Sequence, residues 1–312
     1  AASDVYKRQG AEYLYVKELI ESLGLGTFTI HTGVFEPTFK PDVSNTQVAE
    51  AAGMDIKTLV DKKDRALATE VLSKGMEKLV LKLYKQGKFH GIISFGGTGG
   101  TSLVTPAMRA LPIGVPKVMV STVASGNTAP YVGASDIVMM PSIVDVAGIN
   151  SISTKIFTNA VFAIAGMVKF ENTKVVDKKP LIAATMFGVT TPCVTAATKY
   201  LEKRGYEVLI FHATGIGGQS MEALIAGGFI EGVLDLTTTE WADEIIGGVL
   251  NAGPYRLEAA SKNHIPQVVS VGALDMCNFG TYDTIPKKFE RRNLYKHLSL
   301  IHISEPTRLD VI

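Results

Sequence analysis

Apolar positions along this chain recur at two kinds of spacing, and the two alternate almost from end to end. Residues 66–86 place Leu67, Val71, Leu72, Met76, Leu79, Val80 and Leu83 three and four apart, on one face of a helix that Gly87 ends. The next stretch, residues 90–95 (HGIISF), is a mostly apolar run, as a strand of a parallel sheet covered on both faces requires. Before them, residues 13–23 predict a short amphipathic helix and residues 27–31 (TFTIH) a strand. After them come strands at residues 117–122 and 137–140 and a long helix at 151–168. The alternation restarts with strand 181–186, helix 194–204, strand 207–212, helix 219–226, strand 232–236, helix 240–250 and strand 267–271. Strand and helix in strict turn imply parallel sheets covered by helices, so the pattern predicts two similar α/β units in tandem.

Between them residues 171–180 (ENTKVVDKKP) are polar, lysine-rich and proline-ended, which marks a linker. The organisation expected is a first subdomain at residues 10–170, a linker at 171–180 and a second subdomain at 181–297. The two ends read differently. Residues 1–9 (AASDVYKRQ) and residues 298–312, opening LSLIHISEPTR, resemble translated adapters from sequencing libraries. One stretch of codons, GATGTGTATAAGAGACAG, encodes residues 4–9, and its reverse complement encodes residues 298–303. Both segments are therefore expected to be adapter-derived rather than native, the chain a metagenomic fragment, and both are set aside for the fold.

Composition narrows the partners. With 46% apolar and 20% charged residues the chain can bury a core in each unit. Thirty-one basic against 30 acidic residues give +1, with no like-charge block for nucleic acid or an anionic membrane. Cys193 and Cys277 stand outside any disulfide framework or zinc spacing, so a reducing cytoplasm is the expected location. The most apolar helical stretch, residues 156–168, falls short of the roughly 20 residues that span a bilayer.

The candidate chemistry lies in loops after strands. Gly96, Gly97, Thr98, Gly99, Gly100 and Thr101 follow an apolar strand and open a helical stretch, so their N–H groups can converge on phosphate or carboxylate oxygens. No GK[ST] follows, which excludes a Walker A loop, and a tight structural turn is the alternative. Thr122, Ser125 and Gly126 end the next strand, with Ser121 and Asn127 as further neutral donors or caps. In the second unit Gly215, Gly217, Gly218, Gln219 and Ser220 repeat the strand, turn and helix, as a second anion site or the other wall of one cleft. Thr190 and Thr191 end a strand where Pro192 begins a helix. Asp145 is read as a turn or capping carboxylate before a magnesium ligand or base, and His212 as structural before catalytic. Trp241, Met139 and Met140 are read as core, and Cys193 has no visible histidine to activate it.

Several segments together resemble one family: ISFGGTGGTSLVTPAMRALPIGVPKVMVSTVASG, YVGASDIVMMPSIVDVAGIN, HATGIGGQSMEALI, EWADEIIGGVLNAGPYRLEAA and VVSVGALDMCNFG. They are similar to the uncharacterised bacterial, fungal and plant family that includes the tomato mosaic virus resistance protein. The resemblance covers residues 10–297 and implies two tandem Rossmann-like subdomains with mainly parallel sheets, and ATP binding, with or without magnesium. It implies that a first strand and its turn would precede Ala11, and that the family continues for about a hundred residues past His297. In the plant member this region binds a viral replication protein. The function expected is thus a nucleotide-binding protein with a ligand cleft between its subdomains and without rapid hydrolysis. The alternatives are an enzyme acting on an acyl or phosphorylated carboxylate and a ligand-stabilised module for a protein partner; a homo-oligomer fits any of the three.

Overall fold

The computed structural model describes residues 10–170, 179–297 and 300–304. The chain divides into two compact units, Ala1–Thr173 and Lys174–Ile312. Residues 1–9 and most of the expected linker and C-terminal adapter segments lie outside the described residues.

Unit 1 runs α1 (Gly10–Ser22), α2 (Asn45–Ala51), α3 (Ile56–Lys62), α4 (Arg65–Lys85), β1 (Ile92–Gly96), α5 (Thr98–Ala110), β2 (Lys117–Ser121), α6 (Ala129–Val132), β3 (Val138–Pro141) and α7 (Ser151–Lys169). The sheet is parallel in the order β1-β2-β3, with Ile92 opposite Lys117 and Val118 opposite Val138. Period-two alternation sends Met119 to a core with Leu72, Met76 and Val80 of α4 and Leu103 and Met108 of α5. Val118, Val120 and Phe95 point the other way, to Val16 of α1 and Phe157, Val161 and Ile164 of α7. The result is the helix-covered parallel sheet that the apolar strands require.

By length and composition α7 is the one helix among the described residues able to cross a membrane. Its stripe of Phe157, Ala160, Val161 and Ile164 is buried on the sheet, so it packs as a core helix. Residues 27–31, expected as a strand, form only a parallel bridge between Ile30 and Val43. The reason is geometric: β1 does not reach them, and a cavity of about 470 Å³, walled by residues 27–30 and 92–95, lies between.

Unit 2 runs β4 (Leu181–Met186), a 3-10 turn, α8 (Thr191–Glu202), β5 (Glu207–His212), α9 (Ile216–Ala226), β6 (Gly232–Asp235), α10 (Thr239–Ile246), α11 (Ala259–Lys262), β7 (Gln267–Val269), β8 (Met276–Phe279), β9 (Leu294–His297) and β10 (Leu300–Ser304). The first four strands make a parallel sheet in the order β5-β4-β6-β7. Ala183 and Val233 pack on Met221 and Ile225 of α9 and Ala260 of α11. The last three form a separate antiparallel sheet, β8-β10-β9. β10 lies within residues 298–312, so this sheet includes part of the segment set aside on sequence.

Candidate functional site

In unit 1 the strand β1 ends at Gly96, and α5 begins two residues later with Gly97 as its N-cap, which makes no side-chain cap hydrogen bond. A helix start whose amides receive no capping side chain, at the positive end of the helix dipole, is a natural seat for an anion. The turn is held from below. Thr101 returns its N–H (2.9 Å) and its hydroxyl (2.8 Å) to the Gly97 carbonyl. The same hydroxyl meets Ser121 Oγ at 2.6 Å, joining the ends of β1 and β2 inside the protein. Ser102 closes on the Thr98 carbonyl at 2.9 Å.

Above this anchor, a Cβ built on Gly97 would lie 3.7 Å from Thr122 Oγ1, so the first two predicted loops are neighbours. Thr98, Thr122 and Ser125 are exposed, while Thr101 and Ser121 are buried. Gly126 closes its own turn by donating to the Val123 carbonyl at 3.0 Å. Glycines, an uncapped helix start and exposed hydroxyls thus gather at the carboxyl edge of a parallel sheet, where open α/β sheets bind ligands.

At this same edge the chain after β3 turns through Ile143, which has φ 65° and is 72% exposed. A β-branched residue held in the left-handed region is strained. Asp145 follows, exposed, in the turn closed by Ala147 N–H on its carbonyl at 2.9 Å. Among the described residues no three His, Cys, Asp or Glu side chains gather as a metal site. Sequence reasoning did not single out Ile143, because strain is a backbone property without a residue signature.

Of the basic side chains in unit 1 that could serve a phosphate, Lys155 is exposed on α7, and Lys117 lies elsewhere. Lys117 opens β2, at the end of the sheet away from the loop, and its buried Nζ donates to the Pro112 carbonyl (2.7 Å) and to Asp136 (2.5 Å). Burial pushes the Asp136 carboxyl up, but the hydrogen bonds from Lys117 and Gly114 outweigh it and hold the group below its usual value.

In unit 2 the second glycine turn is already occupied. Glu240, on α10, accepts the N–H groups of Gly215 (2.7 Å) and Gly218 (3.0 Å) on one carboxylate oxygen and Arg256 Nε (2.7 Å) on the other. Arg256 also forks onto Asp235 at 2.5 and 2.7 Å and reaches Glu222 at 3.2 Å. Burial pushes the Glu240 carboxyl up, and Arg256 with the two amides pulls against it. Burial likewise opposes the charge on Arg256, but Asp235 and Glu240 outweigh it and hold the guanidinium cationic. The glycines are demanded by contact: a Cβ would lie 2.6 Å from the Asn251 carbonyl oxygen at Gly215, 1.8 Å from that of His212 at Gly217, and 2.2 Å from Glu240 at Gly218. Gln219 and Ser220 are half-buried in the first turns of α9. Beside this turn the His212 ring stacks on Phe187, centroids 5.7 Å apart. Thr190 and Thr237 share a 2.7 Å hydrogen bond at the end of β4. Of the two thiols, Cys193 is exposed at the start of α8, while Cys277 is buried on β8, where burial first and Asp243 second push it well above its ordinary value.

Comparison with known proteins gives two family matches. Residues 7–173 match the N-terminal domain of an uncharacterised protein family (UPF0261), and residues 179–308 match its C-terminal domain. A UPF0261 protein of Clostridium tetani is 54% identical over 96% of this chain and 74% of its own length. One from Rhizobium meliloti is 42% identical over 93% of this chain and 71% of its length. The ToMV resistance protein Tm-1 (GCR237) of Solanum lycopersicum is 48% identical over 78% of this chain, which spans only 33% of that protein. Two contiguous domain matches and relatives that align along nearly the whole sequence place the chain, in both of its units, in the UPF0261 family.

Proposed function

We propose that this protein binds a nucleotide, ATP, through the first glycine loop and does not hydrolyse it rapidly. The observation that supports this is the uncapped start of α5 beside Thr98, Thr122 and Ser125. Amides at Thr98, Gly99 and Gly100 would orient the phosphates, and the exposed hydroxyls would supply neutral hydrogen bonds. With magnesium present, Asp145, in the loop after β3, is the residue that would hold it. Slow turnover follows from the cations. Phosphoryl transfer needs positive charge on the developing oxyanions, whereas Lys117 is committed to Asp136 at the other end of β2 and Arg256 to Asp235 and Glu240 in unit 2. Gly215, Gly217, Gly218, Gln219 and Ser220 enter this reading only as a second site, which ATP reaches by displacing Glu240.

Titration calorimetry with Gly97→Val and Gly99→Val tests the loop: each should weaken ATP binding at least about tenfold, roughly 1.4 kcal/mol, with an unchanged circular dichroism spectrum. Unaltered affinity moves the site elsewhere. Phosphate release should stay at background. Turnover of about 1 per second, lost in Asp145→Asn, would replace this reading with an enzyme.

A further inference from the structure

We infer that the outward face of α7 is a dimer interface, on which a second copy of this chain lays its own α7 antiparallel, across a two-fold axis at Asn159. One face of α7 is settled within the chain, where Phe157, Ala160, Val161 and Ile164 are buried on the sheet. The opposite face is far from polar. Ile152, Lys155, Asn159, Phe162, Gly166 and the C-cap Phe170 follow one another at spacings of three and four, which puts them on one stripe, like the seam of a coiled coil. Phe170 is 83% exposed, Phe162 52% and Ile152 43%, and Ile149, just ahead of the helix, is 46% exposed.

Gly166 points to a close neighbour outside the chain. A Cβ built on it meets nothing within 4 Å, so no contact within the chain requires a glycine there. In a helix interior glycine gives up about 0.5–1 kcal/mol relative to alanine, a cost that a closely packed partner would justify.

The order of residues along the stripe makes that partner a second copy. Counted from Asn159, Ile152 stands seven residues before and Gly166 seven after, Lys155 four before and Phe162 three after, Ile149 ten before and Phe170 eleven after. Laid antiparallel on itself, the helix sets Ile152 into the gap at the partner's Gly166, the Lys155 ammonium against the ring of the partner's Phe162, and Ile149 against the partner's Phe170. At the axis the two Asn159 carboxamides meet, each able to donate to the other and accept from it. A parallel pair would instead set Lys155 against Lys155 and align the two helix dipoles. The seven-residue recurrence of Ile152, Asn159 and Gly166 suits a crossing of about 20°.

The four apolar side chains together expose on the order of 400 Å², a patch of the size that marks an interaction surface. Counted on two copies, with Lys155, Asn159 and the backbone between them, pairing buries roughly 1,000 Å², the lower bound for a specific interface. A membrane suits the phenylalanines but not the middle of the stripe, where Lys155 and Asn159 would enter hydrocarbon without partners.

Sedimentation equilibrium of the full chain should show monomer and dimer exchanging with a Kd in about the micromolar range. Phe162→Glu should weaken the dimer at least about tenfold with an unchanged circular dichroism spectrum. Gly166→Leu separates fitted packing from stickiness: it makes the stripe more apolar and the helix stronger, yet should weaken the dimer about tenfold or more, because the new side chain takes the place of the partner's Ile152. Oxidative crosslinking in a Cys193→Ser background reads the register. Asn159→Cys chains should link to one another across the axis, and Lys155→Cys chains should link to Ala163→Cys chains faster than to themselves. A monomer up to about 100 µM, a dimer indifferent to Phe162→Glu and Gly166→Leu, or Lys155→Cys chains that link mainly to themselves would overturn the proposal. So would binding to phosphatidylserine-containing vesicles that Gly166→Leu strengthens, which would give the face to a membrane.

Discussion

Both units place a glycine turn between a parallel strand and a helix, at residues 96–101 in one and 214–220 in the other, yet the two turns meet opposite fates. In the second, Glu240 sits on the amides of Gly215 and Gly218, and every nearby glycine is forced by a contact shorter than 3 Å. In the first, no side chain caps the helix, and Gly97 has 3.7 Å of room before Thr122. A turn that attracts anions can thus be satisfied from within, where it becomes architecture, or left open at the surface, where its amides stay available to a ligand. Glycine content alone does not separate the two.

The sharpest way to break this comparison is to remove the internal anion. Glu240→Ala leaves Arg256 Nε and the amides of Gly215 and Gly218 without their acceptor, while Asp235 still balances the guanidinium charge, and should cost about 3–5 kcal/mol in chemical denaturation. A loss below about 1 kcal/mol would mean that Glu240 is not holding the second turn together.

Next in size are two matched glycine substitutions. Gly217→Ala drives a methyl group into the His212 carbonyl and should destabilise by about 1–3 kcal/mol. Gly97→Ala should change stability by no more than about 0.5 kcal/mol while weakening ATP binding. Equal destabilisation at both positions would erase the distinction between the turns.

The smallest effect concerns acid. The folded Asp136 carboxyl lies below its unfolded value, so its contribution is present above about pH 4 and is lost as pH falls through the folded value. Melting curves from pH 6 downward should therefore fall more steeply for the parent chain than for Asp136→Asn. Parallel curves would show that the ion pair with Lys117 adds nothing.

The α/β alternation was legible because parallel strands buried on both faces leave unbroken apolar runs: strands 181–186 and 207–212 coincide with β4 and β5. Local signals also went unread. Ser44 with Gln47 forms a capping box that announces α2, and Asp55 caps α3. The strand expected at residues 27–31 was misjudged because strand pairing depends on a neighbour, which no local pattern supplies. The antiparallel β8-β10-β9 sheet escaped because its central strand, β10, falls within residues 298–312, which the sequence pattern set aside, and β8 and β9 are joined only through it. At the candidate site the glycines and hydroxyls were visible in sequence. That Glu240 would close one turn was not, because Glu240 reaches Gly215 across 25 positions of chain through tertiary packing alone.

The contrast between the two cysteines gives the molecule a chemical address. A thiol-directed fluorophore or spin label should find Cys193 at the surface and pass over Cys277, whose thiolate is suppressed by burial beside Asp243. Labelling of the unmodified folded chain should therefore stop at one equivalent, on α8, and a second equivalent should enter only as β8 opens. Counting dye per chain would then time the unfolding of unit 2.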